Sequence, residues 1–168
     1  MKILFTLFIL FLKICNAQNN IATTSAAFLE IGAGARALAM GGAYVSVADD
    51  ANSLYWNPAG IVSLASPQIQ TYYSPWLVET QFYYGSSVVP IGALGEIGFS
   101  YTAVTMDEMM VRTVEDPEPD EYGQKFDAGN LALGVAYAKK LTDRFSFGFQ
   151  IKFIQEKIWQ MQANGMAI

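Results

Sequence analysis

Apolar side chains alternate with small or polar ones along most of the chain after residue 66. The alternation is clearest in residues 97–103, 131–137 and 145–153. Successive side chains of a strand point to opposite faces of a sheet, so each stretch predicts a strand with one bulky apolar face. The weaker stretches 68–73 and 80–89 follow the same rule, and the second places Phe82, Tyr84 and Val88 on one side.

Two all-β architectures share this alternation. A soluble β-sandwich turns its apolar faces inward and presents polar faces to water. A transmembrane antiparallel β-barrel turns its apolar faces toward lipid and lines its lumen with small or polar residues. The second faces here carry mainly Gly, Ala, Ser, Gln and Lys, and stretches of about ten residues suit tilted strands that cross a bilayer. The pattern therefore favours the barrel, with the sandwich as the alternative.

The connections between the predicted strands differ in length. Residues 90–93 and 141–144 predict tight turns on one side of the sheet, whereas residues 106–124 form a long acidic connection. Outer-membrane barrels have short periplasmic turns and longer external loops. The acidic residues have no calcium-loop spacing and are interrupted by prolines, so we predict a solvated external loop rather than a metal site. They are Glu115, Asp116, Glu118, Asp120 and Glu121.

The first seventeen residues predict a secretory signal peptide. Lys2 precedes an apolar run over residues 3–12, which as a helix reaches about 15 Å and is too short to span a bilayer. Small residues follow, and we predict cleavage between Ala17 and Gln18. A lipid anchor on Cys15 is the alternative, and it is disfavoured by Lys13.

Composition excludes several classes of function. The chain has no histidine and a single cysteine, which excludes His-based catalytic triads and His- or Cys-ligated metal sites. We therefore predict no cofactor and no metal. With 10 basic and 15 acidic side chains the net charge is −5, which argues against a nucleic-acid partner. The adjacent carboxylates Asp107 and Glu108 would point to opposite faces of a strand, so we predict no catalytic residues and no enzyme activity.

Residues 18–65 predict a compact segment that precedes the first strand. Asp49 or Asp50 is placed to cap a short helix over residues 53–56, which Asn57 and Pro58 would end. The pair Gly41 and Gly42 permits close packing or positive φ angles. Such a Gly- and Ala-rich segment suits a plug in the lumen of a barrel.

Arg36 has two interpretations in this segment. It would pair with Asp49 or Asp50 and hold the segment together, or it would bind an anionic ligand in the lumen. The pairing is the favoured interpretation.

Four motifs of this segment carry a resemblance to a known family. They are Phe28-Leu29-Glu30-Ile31-Gly32-Ala33-Gly34-Ala35-Arg36-Ala37, Met40-Gly41-Gly42-Ala43, Val47-Ala48-Asp49-Asp50 and Tyr55-Trp56-Asn57-Pro58-Ala59-Gly60. They resemble the N-terminal signature of the PorV/PorQ family, outer-membrane proteins related to FadL-type channels for long-chain fatty acids. Residues 149–159 are similar to a strand from the middle of the family's barrel.

The resemblance implies a FadL-like barrel of fourteen strands in the outer membrane, with a plug at its N-terminal end. It implies no catalytic role for the signature, which is expected to build the plug. Its members are Gly32, Arg36, Gly41, Gly42, Asp49, Asp50, Trp56, Asn57, Pro58 and Gly60.

Only about five strands fit between Ser66 and Trp159, and a sixth would start at Asn164. An open sheet in lipid would leave unpaired backbone groups at its edges. We therefore expect an N-terminal fragment, with a signal peptide at 1–17, a plug at 18–65 and an incomplete barrel at 66–168. A self-contained barrel of eight strands is the alternative, and it would need more strand segments than the sequence offers.

The resemblance implies two functions for the barrel. The first is a part in type IX secretion, with secretion-system components or secreted cargo docking at the outer membrane. The second is a channel for hydrophobic small molecules, lined by Tyr55, Trp56, Tyr72 and Tyr83. Trp76, in an external turn, would serve as a docking residue or, preferably, as an anchor at the lipid interface. Outer-membrane lipid is an expected partner in both cases.

Overall fold

The computed structural model describes residues 25–114, 117 and 123–168. The predicted signal peptide and its cleavage site at Ala17 and Gln18 lie outside these residues, as do the five acidic residues singled out in the long connection. The described part of residues 18–65 is called the N-terminal segment below. It is followed by an antiparallel sheet.

The N-terminal segment contains four short helical elements. Two are α-helices, α1 (Ala35–Ala39) and α2 (Ser53–Trp56), and two are 3-10 helices at Ala27–Glu30 and Pro58–Ser63. A further 3-10 helix, Gly92–Leu94, lies between two strands. None of the helices in the described ranges has the length and apolar character that a membrane span requires.

The rest of the described chain contains eight strands. They are β1 (Gln68–Pro75), β2 (Thr80–Pro90), β3 (Glu96–Met106), β4 (Met109–Met110), β5 (Lys125–Phe126), β6 (Ala128–Thr142), β7 (Phe145–Ile158) and β8 (Met161–Ala167). Six of them form one sheet in the order β1-β2-β3-β6-β7-β8, and β4 pairs with β5 inside the long connection. All of the pairings are antiparallel.

The predicted antiparallel β class is confirmed, but the sheet is open. Within the described residues β1 and β8 each pair on one side only, so no closed barrel is present there. The last strand begins at Met161 rather than at the predicted Asn164. The reason is a tight turn in which Trp159 takes a left-handed backbone conformation, with φ of 52°, so that β8 pairs with β7 directly after two residues.

The two faces of the sheet have opposite surroundings. The outer face presents large apolar side chains, such as Phe99, Val135 and Phe145, which are 51%, 53% and 58% exposed. The inner face carries small or polar residues that the N-terminal segment buries, among them Ala136 and Gln150. The predicted alternation is therefore present in β3, β6 and β7.

Strand β2 reverses this arrangement. Its bulky residues Phe82, Tyr84 and Val88 share one face, as predicted, but that face is the inner one, where all three are almost fully buried. Ala33 and Tyr55 of the N-terminal segment pack against Phe82 and Tyr84. Large side chains are needed here because they fill the space beneath the segment.

The connections lie at the two ends of the sheet in the predicted way. The turns at residues 91–95 and 143–144 share one end, called the short-turn end below. The turn at residues 76–79, the β3–β6 connection and the turn at residues 159–160 share the other, called the long-loop end.

Candidate functional site: the N-terminal segment on the sheet

The N-terminal segment lies along the inner face of β7. At the short-turn end, Gly148 lies against the backbone of Ala59. Further along the strand, the Lys152 Nζ atom lies 5.7 Å from the centre of the Tyr55 ring, a cation–π distance. At the long-loop end, the Glu156 carboxylate accepts a hydrogen bond of 3.1 Å from the Ala26 N–H. The segment therefore crosses the sheet from one end to the other.

Apolar packing fixes the segment between these contacts. Leu54 and Ile61 are fully buried against Val88, Ala136 and Ala138 of the sheet. Near the long-loop end, Phe28 packs in a second cluster with Ala132 and Ile154. The small inner-face residues thus leave room for the large side chains of the segment.

Arg36 forms the favoured ion pair, and its partner is Asp49. The Nη1 atom lies 2.6 Å from the Asp49 carboxylate, and the guanidinium lies 5.3 Å from the centre of the Tyr44 ring. The hydrogen bond to Asp49 raises the pKa of Arg36 above its ordinary value. Burial raises the pKa of the Tyr44 phenol, which keeps its hydroxyl neutral beside this pair.

We expect Arg36→Gln to lower the urea midpoint of unfolding only slightly, because the pair is more than half exposed to solvent. Urea unfolding of the purified protein would measure this. Asp49→Asn is the matched variant, and a double-mutant cycle of the two should give only a small coupling energy. A large fall in the midpoint of Arg36→Gln alone would show that Arg36 has a further buried partner.

The predicted helix over residues 53–56 is present as α2, but neither Asp49 nor Asp50 caps it. The N-cap position is Asn52, without a side-chain hydrogen bond to the helix. Asp50 instead accepts a 2.8 Å hydrogen bond from the Asn52 N–H. The prediction was wrong because the Asp50 side chain holds the turn before α2, and the Ser53 N–H is already bonded to the Asp50 backbone carbonyl.

Asn57 and Pro58 end α2 as predicted, and Asn57 makes two further contacts. Its side chain accepts a 3.2 Å hydrogen bond from the Ala59 N–H and so caps the next 3-10 helix. Its Nδ2 donates a 3.0 Å bond to the Val45 carbonyl. A Cβ on Gly60 would collide with the Ala48 carbonyl oxygen. These residues hold the two halves of the segment together.

Trp56 and Tyr55 tie the start of the segment to α2. Trp56 Nε1 donates a 2.9 Å bond to the Ala33 carbonyl, and its ring lies beside Gly32 and Gly42. The Tyr55 hydroxyl accepts a 2.9 Å bond from the Gly32 N–H and donates one to the Leu29 carbonyl. Burial raises the pKa of Tyr55, so the hydroxyl keeps the proton that it donates.

Gly41 and Gly42 end helix α1, and both have a positive φ, 63° and 79°, one of the two uses that the sequence permits for this pair. Their N–H groups donate to the Leu38 and Ala37 carbonyls, each at 2.9 Å. Positive φ at the C-terminus of a helix is the conformation in which glycine carries no steric penalty.

One lumen residue was predicted on the wrong face. Tyr72 faces inward, with its ring 6.0 Å from that of Phe82, but Tyr83 lies on the outer face, with its ring 5.2 Å from that of Tyr73. Tyr83 sits between the inward residues Phe82 and Tyr84, so the alternation of the strand turns it outward.

Sequence reasoning did not assign roles to Lys152 and Glu156. The signal was present only for Lys152, which lies between the apolar outer positions Ile151 and Phe153; Glu156 lies between Gln155 and Lys157, where the alternation has ended. Their partners, Tyr55 and the Ala26 N–H, are 97 and 130 residues away along the chain and could not be read from local pattern.

Comparison with known proteins identifies a family. The family model described as "Type IX secretion system protein PorV" matches residues 14–167, which covers nearly the whole chain. No curated protein and no solved structure matches the chain.

Proposed function

The chain belongs to the PorV family of type IX secretion system proteins, and we propose that it acts in type IX secretion as an outer-membrane β-barrel protein. In this role it docks secretion-system components or exported cargo. The family match carries the proposal, and the two faces of the sheet support it.

The outer face supports a position in lipid. Exposed aromatic and aliphatic side chains occupy every second position of β7 from Phe145 to Phe153. Strands β3, β6 and β7 are 11, 15 and 14 residues long, enough to cross a bilayer when tilted. A contiguous apolar surface of this kind is costly in water and is the normal lipid-facing surface of a membrane strand.

The inner face supports the proposed plug. The N-terminal segment covers this face along its length. The signature residues Trp56 and Asn57 form hydrogen bonds within the segment itself. In a closed barrel the inner face lines the lumen, so the segment would occupy that lumen. The signature residues would then have a structural role, and the loops at the long-loop end would bind the partner proteins.

Deletion of the gene tests this proposal. We expect type IX cargo to disappear from the cell surface and medium and to accumulate in the periplasm, with restoration by the intact gene. The protein itself should fractionate with the outer membrane and migrate faster on gels before boiling than after, as folded barrels do. Normal cargo export in the deletion strain, or a freely soluble protein, would contradict the proposal.

A second candidate function, a channel for hydrophobic small molecules, is favoured by one cavity. It has a volume of about 430 Å³ and is lined by Leu29, Tyr55, Pro58, Gln150 and Lys152 among others. The volume is in the range of small-molecule sites. Within the described residues no carboxylate lies within 4 Å of Lys152 Nζ, so this cation is available to an anionic head group.

We expect Lys152→Gln to reduce binding of a long-chain carboxylic acid by about tenfold, as loss of one charge-assisted hydrogen bond would. Mass spectrometry of the acid retained by the purified protein would measure this. Lys140→Gln removes an inner-face cation outside the cavity and should leave retention unchanged. Equal retention by wild type and Lys152→Gln would rule out this use of the cavity.

A further inference from the structure

The outer face at the short-turn end combines cations with an aromatic patch. The Tyr137 and Phe149 rings lie 6.0 Å apart, as do those of Phe149 and Phe147. Lys139 lies directly opposite Phe147 in the β6–β7 pairing. Arg144 lies in the turn that follows. Lys139 thus borders an apolar surface on the face that would contact lipid in the proposed function, and Arg144 lies in the adjoining turn.

Two cations at the opposite, long-loop end are already paired. Lys157 Nζ lies 2.8 and 3.1 Å from the two carboxylate oxygens of Asp127, and Lys125 lies 3.8 Å from Glu108. At the short-turn end Lys140 pairs with Asp143 at 3.6 Å. In the ranges that the structure describes, Lys139 and Arg144 have no carboxylate within that distance. Two positive charges are therefore available to an external anion.

The surroundings of these cations indicate which anion fits. Leu141, Phe145 and Leu94 at the same end are 57%, 58% and 68% exposed. Glu96, which also lies at this end, belongs to the inner face, whereas Lys139 belongs to the outer face. Apolar side chains that reach acyl chains, beside cations that extend to the level of the head groups, are the arrangement of a membrane interface.

We propose that Lys139 and Arg144 form a binding site for the head-group phosphate of an anionic phospholipid. The inference rests on the proposed function, because it requires the outer face to lie in a bilayer. Two unpaired cations complement a head group with net negative charge. A zwitterionic head group has no net charge, because its own cation balances the phosphate, so its attraction to the two side chains is weaker. The site would hold the short-turn end at a fixed depth in its leaflet.

Lipid retention tests this site. The full-length protein is placed in nanodiscs of phosphatidylcholine alone or with phosphatidylglycerol, and native mass spectrometry counts the lipids that remain bound. We expect preferential retention of phosphatidylglycerol, and about a 25-fold weaker preference in the double variant Lys139→Gln/Arg144→Gln, at roughly fivefold per cation. The preference should also decrease as salt rises.

The matched control is Lys125→Gln/Lys157→Gln. It removes the same number of cations from the other end, where each is paired, and should retain phosphatidylglycerol within about twofold of wild type, since exposed ion pairs contribute little. Equal retention of the two lipids by wild type, or an equal loss in both double variants, would overturn the lipid site and leave the proposed function standing. A protein that enters neither kind of nanodisc would overturn both.

Discussion

Replacement of Trp56 by alanine is expected to lower the free energy of unfolding by about 2–4 kcal/mol, somewhat below the range for fully buried aromatics because the ring is partly exposed. The change removes the bond from Nε1 to the Ala33 carbonyl and the ring that packs against Tyr55 and Tyr44, with centres 5.2 and 6.4 Å away. Urea unfolding of the protein in detergent, followed by circular dichroism, would measure the loss.

Two variants separate packing from general loss of an aromatic ring. Trp56→Phe keeps much of the ring but not the hydrogen bond, and should cost about 1 kcal/mol. Trp76→Ala removes a tryptophan that is 44% exposed in the turn between β1 and β2, and should change stability in detergent by less than about 1 kcal/mol. If Trp76→Ala lowered the free energy of unfolding as much as Trp56→Ala, the loss in Trp56→Ala could not be assigned to the contacts of Trp56 within the N-terminal segment.

The strands and their faces were largely predictable because their signal is local. In β7, residues from Phe145 to Phe153 alternate strictly, and the structure exposes every one of the apolar positions on one face. A strand places neighbouring side chains on opposite faces whatever its partners are, so periodicity alone identifies the two surfaces. The positions of the tight turns followed from the same periodicity.

What the sequence did not predict depends on partners far along the chain. Whether the bulky face of β2 points inward is decided by Ala33 and Tyr55, which pack on Phe82 and Tyr84. Alternation is unchanged when a strand is turned over, so the orientation of β2 and the outward position of Tyr83 were not accessible. The contact of Lys152 was not accessible for the same reason, because the Tyr55 ring that it approaches is far away along the chain.

The signature of the N-terminal segment was predictable as a unit but not in its contacts. Arg36 and Asp49 pair as favoured, since opposite charges in a compact segment have few other partners. Helix α1 was missed, because its five residues lie between glycines and carry no periodic pattern long enough to detect. Its stability comes from the buried Ala37 and from the turn at Gly41 and Gly42 rather than from helix propensity.

Replacement of Gly148 by alanine is expected to lower the free energy of unfolding by about 1–3 kcal/mol, the usual cost of overpacking. A Cβ at this position would lie 2.5 Å from the Ala59 nitrogen and 2.7 Å from its Cα. Both are backbone atoms, and β7 is held between β6 and β8, so the segment rather than the strand must move. Displacement of the segment would expose the buried Ile61 side chain to solvent. Thermal unfolding and protease cleavage within the segment would report both effects.

Gly165→Ala supplies the control for this last variant. Gly165 lies in the neighbouring strand β8, and no atom lies within 4 Å of a Cβ built there. Both changes restrict the unfolded chain in the same way, so the difference between them isolates the contact with Ala59. We expect Gly165→Ala to stay within about 0.5 kcal/mol of wild type and to leave protease cleavage unchanged. Equal stability of the two variants would mean that the segment does not depend on close contact with β7, and its proposed position as a plug would lose its main structural support.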